Sequence, residues 1–235
     1  MYFSTAHPST GRIRYAHTIT FSDGNPPMPL LQTVAEITGL VPPLPSAPAT
    51  RVLVGIVGAP GAGKSTISEQ LVHSLAPHAA LLGMDGFHLS QSRLVELGRR
   101  QRMGASDTFD VDGFLAVLRD IRFGTGPVLA PGFDRAIEEA VAGEITIPAA
   151  ARIVIIEGNY LLHNAEGWEA VAGMLDTSFF VSVEHDLRLS RLIARHERFG
   201  KSADAAVVWA TGPDEANARL IETTAARADH IVRLH

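Results

Sequence analysis

The stretch GAPGAGKST (58–66) has the spacing G-x-x-x-x-G-K-[ST]. Residues of these types in this order can wrap main-chain N–H groups around a polyphosphate. Glycine is needed wherever a side chain would block close approach, so Gly58, Ala59, Gly61, Ala62 and Gly63 are expected to form the cradle. Lys64 would reach the outer phosphates. The Ser65 hydroxyl would take one Mg²⁺ position, and Thr66 would close the first turn of the helix starting here. In proteins with such a loop, an acid at a neighbouring strand end sits beside the metal. Glu157, which ends the apolar run in IVIIEGNY (153–160), is placed for that, with Asn159 and Tyr160 just beyond it.

LLGMDGFHL (81–89) raises a second possibility. Asp85-Gly86 reads as a turn, but it ends the strand that follows the phosphate loop and its helix. In doubly wound sheets, ligands bind beyond such ends. A hydroxyl attacking a γ-phosphate benefits from a carboxylate that takes its proton, so Asp85 is a candidate base. Arg188, Arg191 and Arg195 are spaced three and four apart and share one helix face. Positive charge of this kind, carried on a closing lid, can neutralise a phosphoryl group in transfer. No guanine-reading Asn-Lys-x-Asp and no apolar run ending Asp-Glu occurs. The set points to a small-molecule kinase using ATP and Mg²⁺. A nucleotide-driven switch or chaperone is the reading from another class.

These groups need strands and helices to position them. Continuous apolar runs predict buried strands in RVLVGIV, HAALLGM, ARIVIIEG and TSFFVSV, with HIVRL as a fifth. Helical spacing marks 65–76, 111–121, 185–199, about 203–210 and 214–227. The same spacing predicts helices over 133–143 and over 165–176, the latter capped by Asn164. Asp110 and Asp112 read as caps, and Trp168 and Trp209 as packing. Strands alternating with helices predict an α/β fold, a five-stranded parallel sheet flanked by helices. Residues 1–27 read as an N-terminal extension with a strand at 12–21. Residues 28–50 read as a short helix and a Pro-rich linker, and 51–235 as the kinase domain. An unpaired N-terminal strand edge could support a homodimer.

Composition narrows the class. Of 235 residues, 46% are hydrophobic and 19% charged, so a packed core is expected. A net charge of −5 lacks the basic footprint of a nucleic-acid binder. There is no cysteine, which excludes disulfides and thiolate metal sites. MYFSTAHPST has no charged and apolar signal pattern, and no apolar run has the length of a membrane span. The expectation is a soluble, cytoplasmic enzyme with a small-molecule partner and no nucleic-acid or membrane partner.

GAPGAGKST, MDGFHL, GASDTFD, PGFDR, EGNYLL, DLRLSRLIARHERFG and GPDEANARLI follow one another in an order that resembles the uridine kinase/pantothenate kinase/phosphoribulokinase superfamily. They are most similar to a bacterial nucleoside/nucleotide kinase-like branch, some of whose members are called fructose-transport-system kinases. The resemblance runs from about Leu30 to the C-terminus. It implies a P-loop NTPase fold, with Asp85 as catalytic base and Phe87 and His88 on the acceptor side. It also implies Arg135 facing the acceptor, Asn217 near the base, and a lid bearing Arg188, Arg191 and Arg195. That branch has Lys-Gly-Ala-Pro before TFD. Here Met103-Gly104-Ala105-Ser106 stands instead, with Arg102 one place earlier. The lysine's contact with the acceptor is either lost or taken by Arg102. The acceptor is expected to be a sugar or nucleoside, with a pantothenate-like acid as the alternative.

Overall fold

A computed structural model of the chain describes residues 30–47 and 50–234; the strand expected over 12–21 lies outside the described residues. The strands are β1 (Leu30–Leu31), β2 (Val52–Gly58), β3 (Ala79–Gly83), β4 (Val128–Asp134), β5 (Glu139–Ile147), β6 (Ile153–Gly158), β7 (Thr177–Val183) and β8 (His230–Leu234). The helices are α1 (Val34–Leu40), α2 (Lys64–Ser74), α3 (Gln91–Glu96), α4 (Val111–Phe123), α5 (Glu169–Ala172), α6 (His185–Arg198), α7 (Ala203–Thr211) and α8 (Pro213–Glu222).

Six strands form one parallel sheet in the order β1-β8-β7-β2-β6-β3. β2 is buried along its whole length, as an unbroken apolar run requires of a central parallel strand. The α/β fold is as expected, but the sheet has one strand more than the five predicted. Leu30 and Leu31, within the segment whose pattern predicts a short helix and linker, pair with Ile231 and Val232 of β8. Thr33 explains the change. Its hydroxyl accepts from the Glu36 N–H while the Glu36 carboxylate accepts from the Thr33 N–H, so the helix starts only beyond it. Ile37 of α1 then packs with Ile67 and Leu71 of α2 against one sheet face. Described residues of the expected linker are therefore tied into the core of the following unit. Phe114, Leu118 and Ile121 of α4, with Trp168 and Ile221, fill the other face.

Two expected helices take other forms. Residues 133–143 are the tip and flanks of an antiparallel hairpin, β4–β5, with Phe133 opposite Ala140 and Gly132 opposite Val141. Alanine and glutamate favour a helix locally, but the partner strand at 128–134 decides the outcome. The register shifts between Ala130 and Gly132, where Pro131 has no N–H to give the ladder. Over 165–176 only the short α5 forms. Glu166 and Gly167 have φ of 61° and 92°, outside any α-helix, and Trp168 rather than Asn164 holds the cap position. Among the described residues, no helix is long and apolar enough to cross a membrane.

Candidate active site

The carboxyl ends of β2, β6 and β3 lie side by side, with Ile56, Glu157 and Gly83 in one row. The phosphate loop leaves β2, Glu157 ends β6, and Asp85 sits in a 3₁₀ turn just after β3. Three groups far apart in sequence thus meet where parallel sheets bind ligands. They line one cavity of about 320 Å³.

Gly61 and Gly63 have φ of 81° and 95°, the left-handed region that glycine enters at little cost. A Cβ on Gly61 would also lie 2.8 Å from the Arg188 carbonyl oxygen. Gly63 occupies the cap of α2 without a side chain, leaving the first N–H groups of the helix open to an anion. Gly61, Gly63, Lys64, Ser65 and Thr66 line the cavity, as does Pro60. Gly58, Ala59 and Ala62 shape the loop from behind. A Cβ on Gly58 would meet the Val181 carbonyl oxygen at 2.6 Å, and Ala62 belongs to the core. Lys64 is only 7% exposed and donates to the Ala59 carbonyl at 3.0 Å. Burial pushes its ammonium down to about 8, against the opposing pull of Glu157 and Asp85. The Ser65 hydroxyl donates to Glu157 at 3.0 Å. Burial raises the Glu157 carboxyl, and Lys64 only partly offsets this.

Asp85 accepts a hydrogen bond from Arg135 at 2.7 Å. Burial pushes its carboxyl up, but Arg135, His88, Lys64 and Arg195 together outweigh this and hold it below the ordinary carboxylate range. Asp85 is therefore ionised at neutral pH. The Asp85-Gly86 step is a turn as well. A Cβ on Gly86 would lie 2.1 Å from the Pro131 carbonyl oxygen, so the turn and the hairpin meet backbone to backbone. His88 places Nδ1 2.8 Å from the Asp85 carbonyl oxygen. A carbonyl can only accept, so Nδ1 carries the proton and Nε2 is left as an acceptor in the neutral ring. Burial keeps this ring neutral in spite of Asp85. The ring lies between Phe109 and Phe133, at 4.0 and 4.7 Å.

The three arginines of α6 divide. Arg191 and Arg195 line the cavity, and among the described residues neither forms an ion pair. Arg188 is 2% exposed, bonds Glu215 of α8 and reaches the Pro60 carbonyl at 3.5 Å. It braces the phosphate loop against α6 and α8 and does not join the lid face expected of it.

Other expected residues lie elsewhere. Phe87 is buried against Phe114. Tyr160 is buried too, with its hydroxyl donating to the Gly104 carbonyl at 2.7 Å; burial raises its pKa. Arg102 is 48% exposed, pairs with Asp107 and is not among the cavity-lining residues, so it does not take the place of the missing lysine. Asn159 and Asn217 do line the cavity. Sequence reasoning missed Phe133 and Glu138 of the hairpin, the His196–Asp214 pair at 2.6 Å, and Lys201 with Trp209. Lys201 lies 4.9 Å from the Trp209 ring centroid, so Trp209 is a cavity residue and not mere packing. For these residues the sequence carries no local signal, because the pairing of the β4–β5 hairpin and the packing of α6, α7 and α8 bring them in.

The Phosphoribulokinase / Uridine kinase family model matches residues 53–234. The solved structure of a candidate fructose transport system kinase from Silicibacter sp. TM1040 is 38% identical, with a TM-score of 0.78, over 86% of this chain and 98% of that one. The ATP-dependent kinase-like protein notR' of Aspergillus versicolor is 34% identical over 64% of this chain and 87% of its own length. A candidate uridine kinase of Schizosaccharomyces pombe, C227.14, is 35% identical over 62% of this chain and 66% of its own. The family match spans the phosphate loop, Asp85, Glu157 and the arginines of α6 alike. The chain belongs to the phosphoribulokinase/uridine kinase family and is an ATP-dependent small-molecule kinase.

Proposed function

We propose that the enzyme transfers the γ-phosphate of ATP to a hydroxyl of a neutral polyhydroxy metabolite, a sugar or a nucleoside. One observation carries this reading, the division of charge within the cavity. On the phosphate-loop side, Lys64, Arg191 and Arg195 form no ion pairs among the described residues. On the other side, Arg135 is paired with Asp85 and Lys201 with Glu138. An incoming acid would have to displace those carboxylates. Hydroxyl groups can donate to the carboxylates and accept from the cations of intact pairs. Phe109, Phe133 and Trp209 add apolar surface to the cavity wall. The names of two relatives, one for uridine and one for fructose transport, favour the same class.

Main-chain N–H groups of residues 61–65 and Lys64 would hold the phosphates. Ser65 and Glu157 present hard oxygen donors 3.0 Å apart, a set that suits Mg²⁺. A bound Mg²⁺ would supply charge neutralisation at the phosphates. Asp85 accepts the proton of the attacking hydroxyl, and Arg135 fixes the carboxylate in place. Arg191 and Arg195 neutralise charge on the group in transfer and exclude water from it. ATP consumption with Mg²⁺ against sugars, nucleosides and pantothenate-like acids, with mass spectrometry of products, tests the reading. A phosphomonoester of a neutral acceptor is expected. A phosphorylated acid as the only product, or ATP turnover indifferent to every acceptor, would overturn it.

A further inference from the structure

We infer that Glu138 is a specificity-determining residue that disfavours anionic acceptors in the cavity by occupying Lys201. The inference rests on the neutral-acceptor reading above. Glu138 stands between β4 and β5 with φ of 51°, a conformation costly for a residue with a side chain. Strain of this kind persists only where the surroundings hold it, and it gathers at functional sites. Gln91 does the holding. Its Nε2 donates to the Glu138 carbonyl at 2.7 Å, and its N–H donates to the neighbouring Glu139 carboxylate at 3.0 Å.

The Glu138 carboxylate so fixed takes two cations from separate segments. Arg100 lies at 2.6 Å and Lys201, between α6 and α7, at 3.6 Å. Glu138, Lys201 and Trp209 all line the cavity, whereas Arg100 is not among the lining residues. An acid entering here meets a lysine whose charge is already matched by Glu138. A cation already paired offers an incoming anion little attraction, and a site that withholds its cation discriminates against anions. Removing that one charge leaves Lys201, stacked on Trp209, as an unpaired cation facing the acceptor.

The test is calorimetric titration of the enzyme carrying Mg²⁺ and a non-hydrolysable ATP analogue. The acid probes are D-glycerate and pantothenate; the neutral probes are uridine and D-fructose. Glu138→Gln keeps the shape and an oxygen for Arg100. It should bind at least one acid roughly tenfold or more tighter than the wild type. Glu138→Asp, which keeps the charge, should exclude acids as the wild type does. Lys201→Met added to Glu138→Gln should abolish the gain. Thermal melts of each variant separate a binding change from a loss of fold. If Glu138→Gln binds neither acid better while the wild type still phosphorylates a neutral acceptor, the role of Glu138 is wrong and the neutral-acceptor reading stands. If the wild type already binds and phosphorylates an acid, both are wrong.

Discussion

The two ends of the cavity use charge in opposite ways. At the phosphate loop, Lys64 is buried and hydrogen-bonds the Ala59 carbonyl, and Lys64, Arg191 and Arg195 make no ion pair among the described residues. At the hairpin, the cations Arg135 and Lys201 are matched by Asp85 and Glu138. Unpaired cations in a low-dielectric cleft attract phosphates strongly whatever else the ligand carries. Paired ones offer direction and hydrogen bonds but little net field. On the proposed reading, the nucleotide end binds charge and the acceptor end selects shape and hydroxyl pattern.

The contrast can be broken first at Arg195. Arg195→Ala should lower phosphoryl transfer by about 10³-fold while weakening ATP binding much less. Single-turnover rates set beside calorimetric ATP affinity would show it; a loss under about tenfold would mean the lid arginines are a solvated face. Arg188, two turns away on the same helix, sharpens the comparison because it is buried and paired. Arg188→Met should strip Glu215 of its buried partner, leaving it Arg219 and His185, and cost about 2 kcal/mol of stability. Thermal and denaturant melts would register this, while transfer by the folded fraction falls far less than in Arg195→Ala.

Lys64 supplies a smaller, pH-dependent effect with two signs. Its pKa is about 8 in the native state against an ordinary 10.5. Between these values the unfolded chain holds more protons, so this group makes stability rise with pH across that window. ATP binding needs the ammonium, so affinity should fall as pH passes 8, by up to about tenfold per unit. Melts and ATP titrations from pH 7 to 10 would follow both slopes. Lys64→Met should remove both.

Much of the nucleotide end was legible in the sequence, because its demands fall on the backbone. Gly61 and Gly63 stand where φ must be positive, and Lys64 and Ser65 follow at fixed spacing. Asp85 and Glu157 were legible for a related reason, since each ends an apolar run that could only be a buried strand. The acceptor end was largely hidden. Residues 133–143 have the composition of a helix, and only their pairing with 128–134 makes them the hairpin that carries Phe133, Arg135 and Glu138. Lys201 and Trp209 reach the cavity through the packing of α6 and α7. The sixth strand was missed because two residues are too few to show a period.

The most direct test of the account is Asp85→Asn, in which both ends are measured on one protein. ATP affinity should stay within about twofold, because the nucleotide end is untouched. Transfer to the neutral acceptor should fall by at least about 100-fold, because the hydroxyl has lost its proton acceptor. Transfer surviving within a few-fold would make Asp85 a turn residue alone and would contradict the division of the cavity into a binding end and a reacting end.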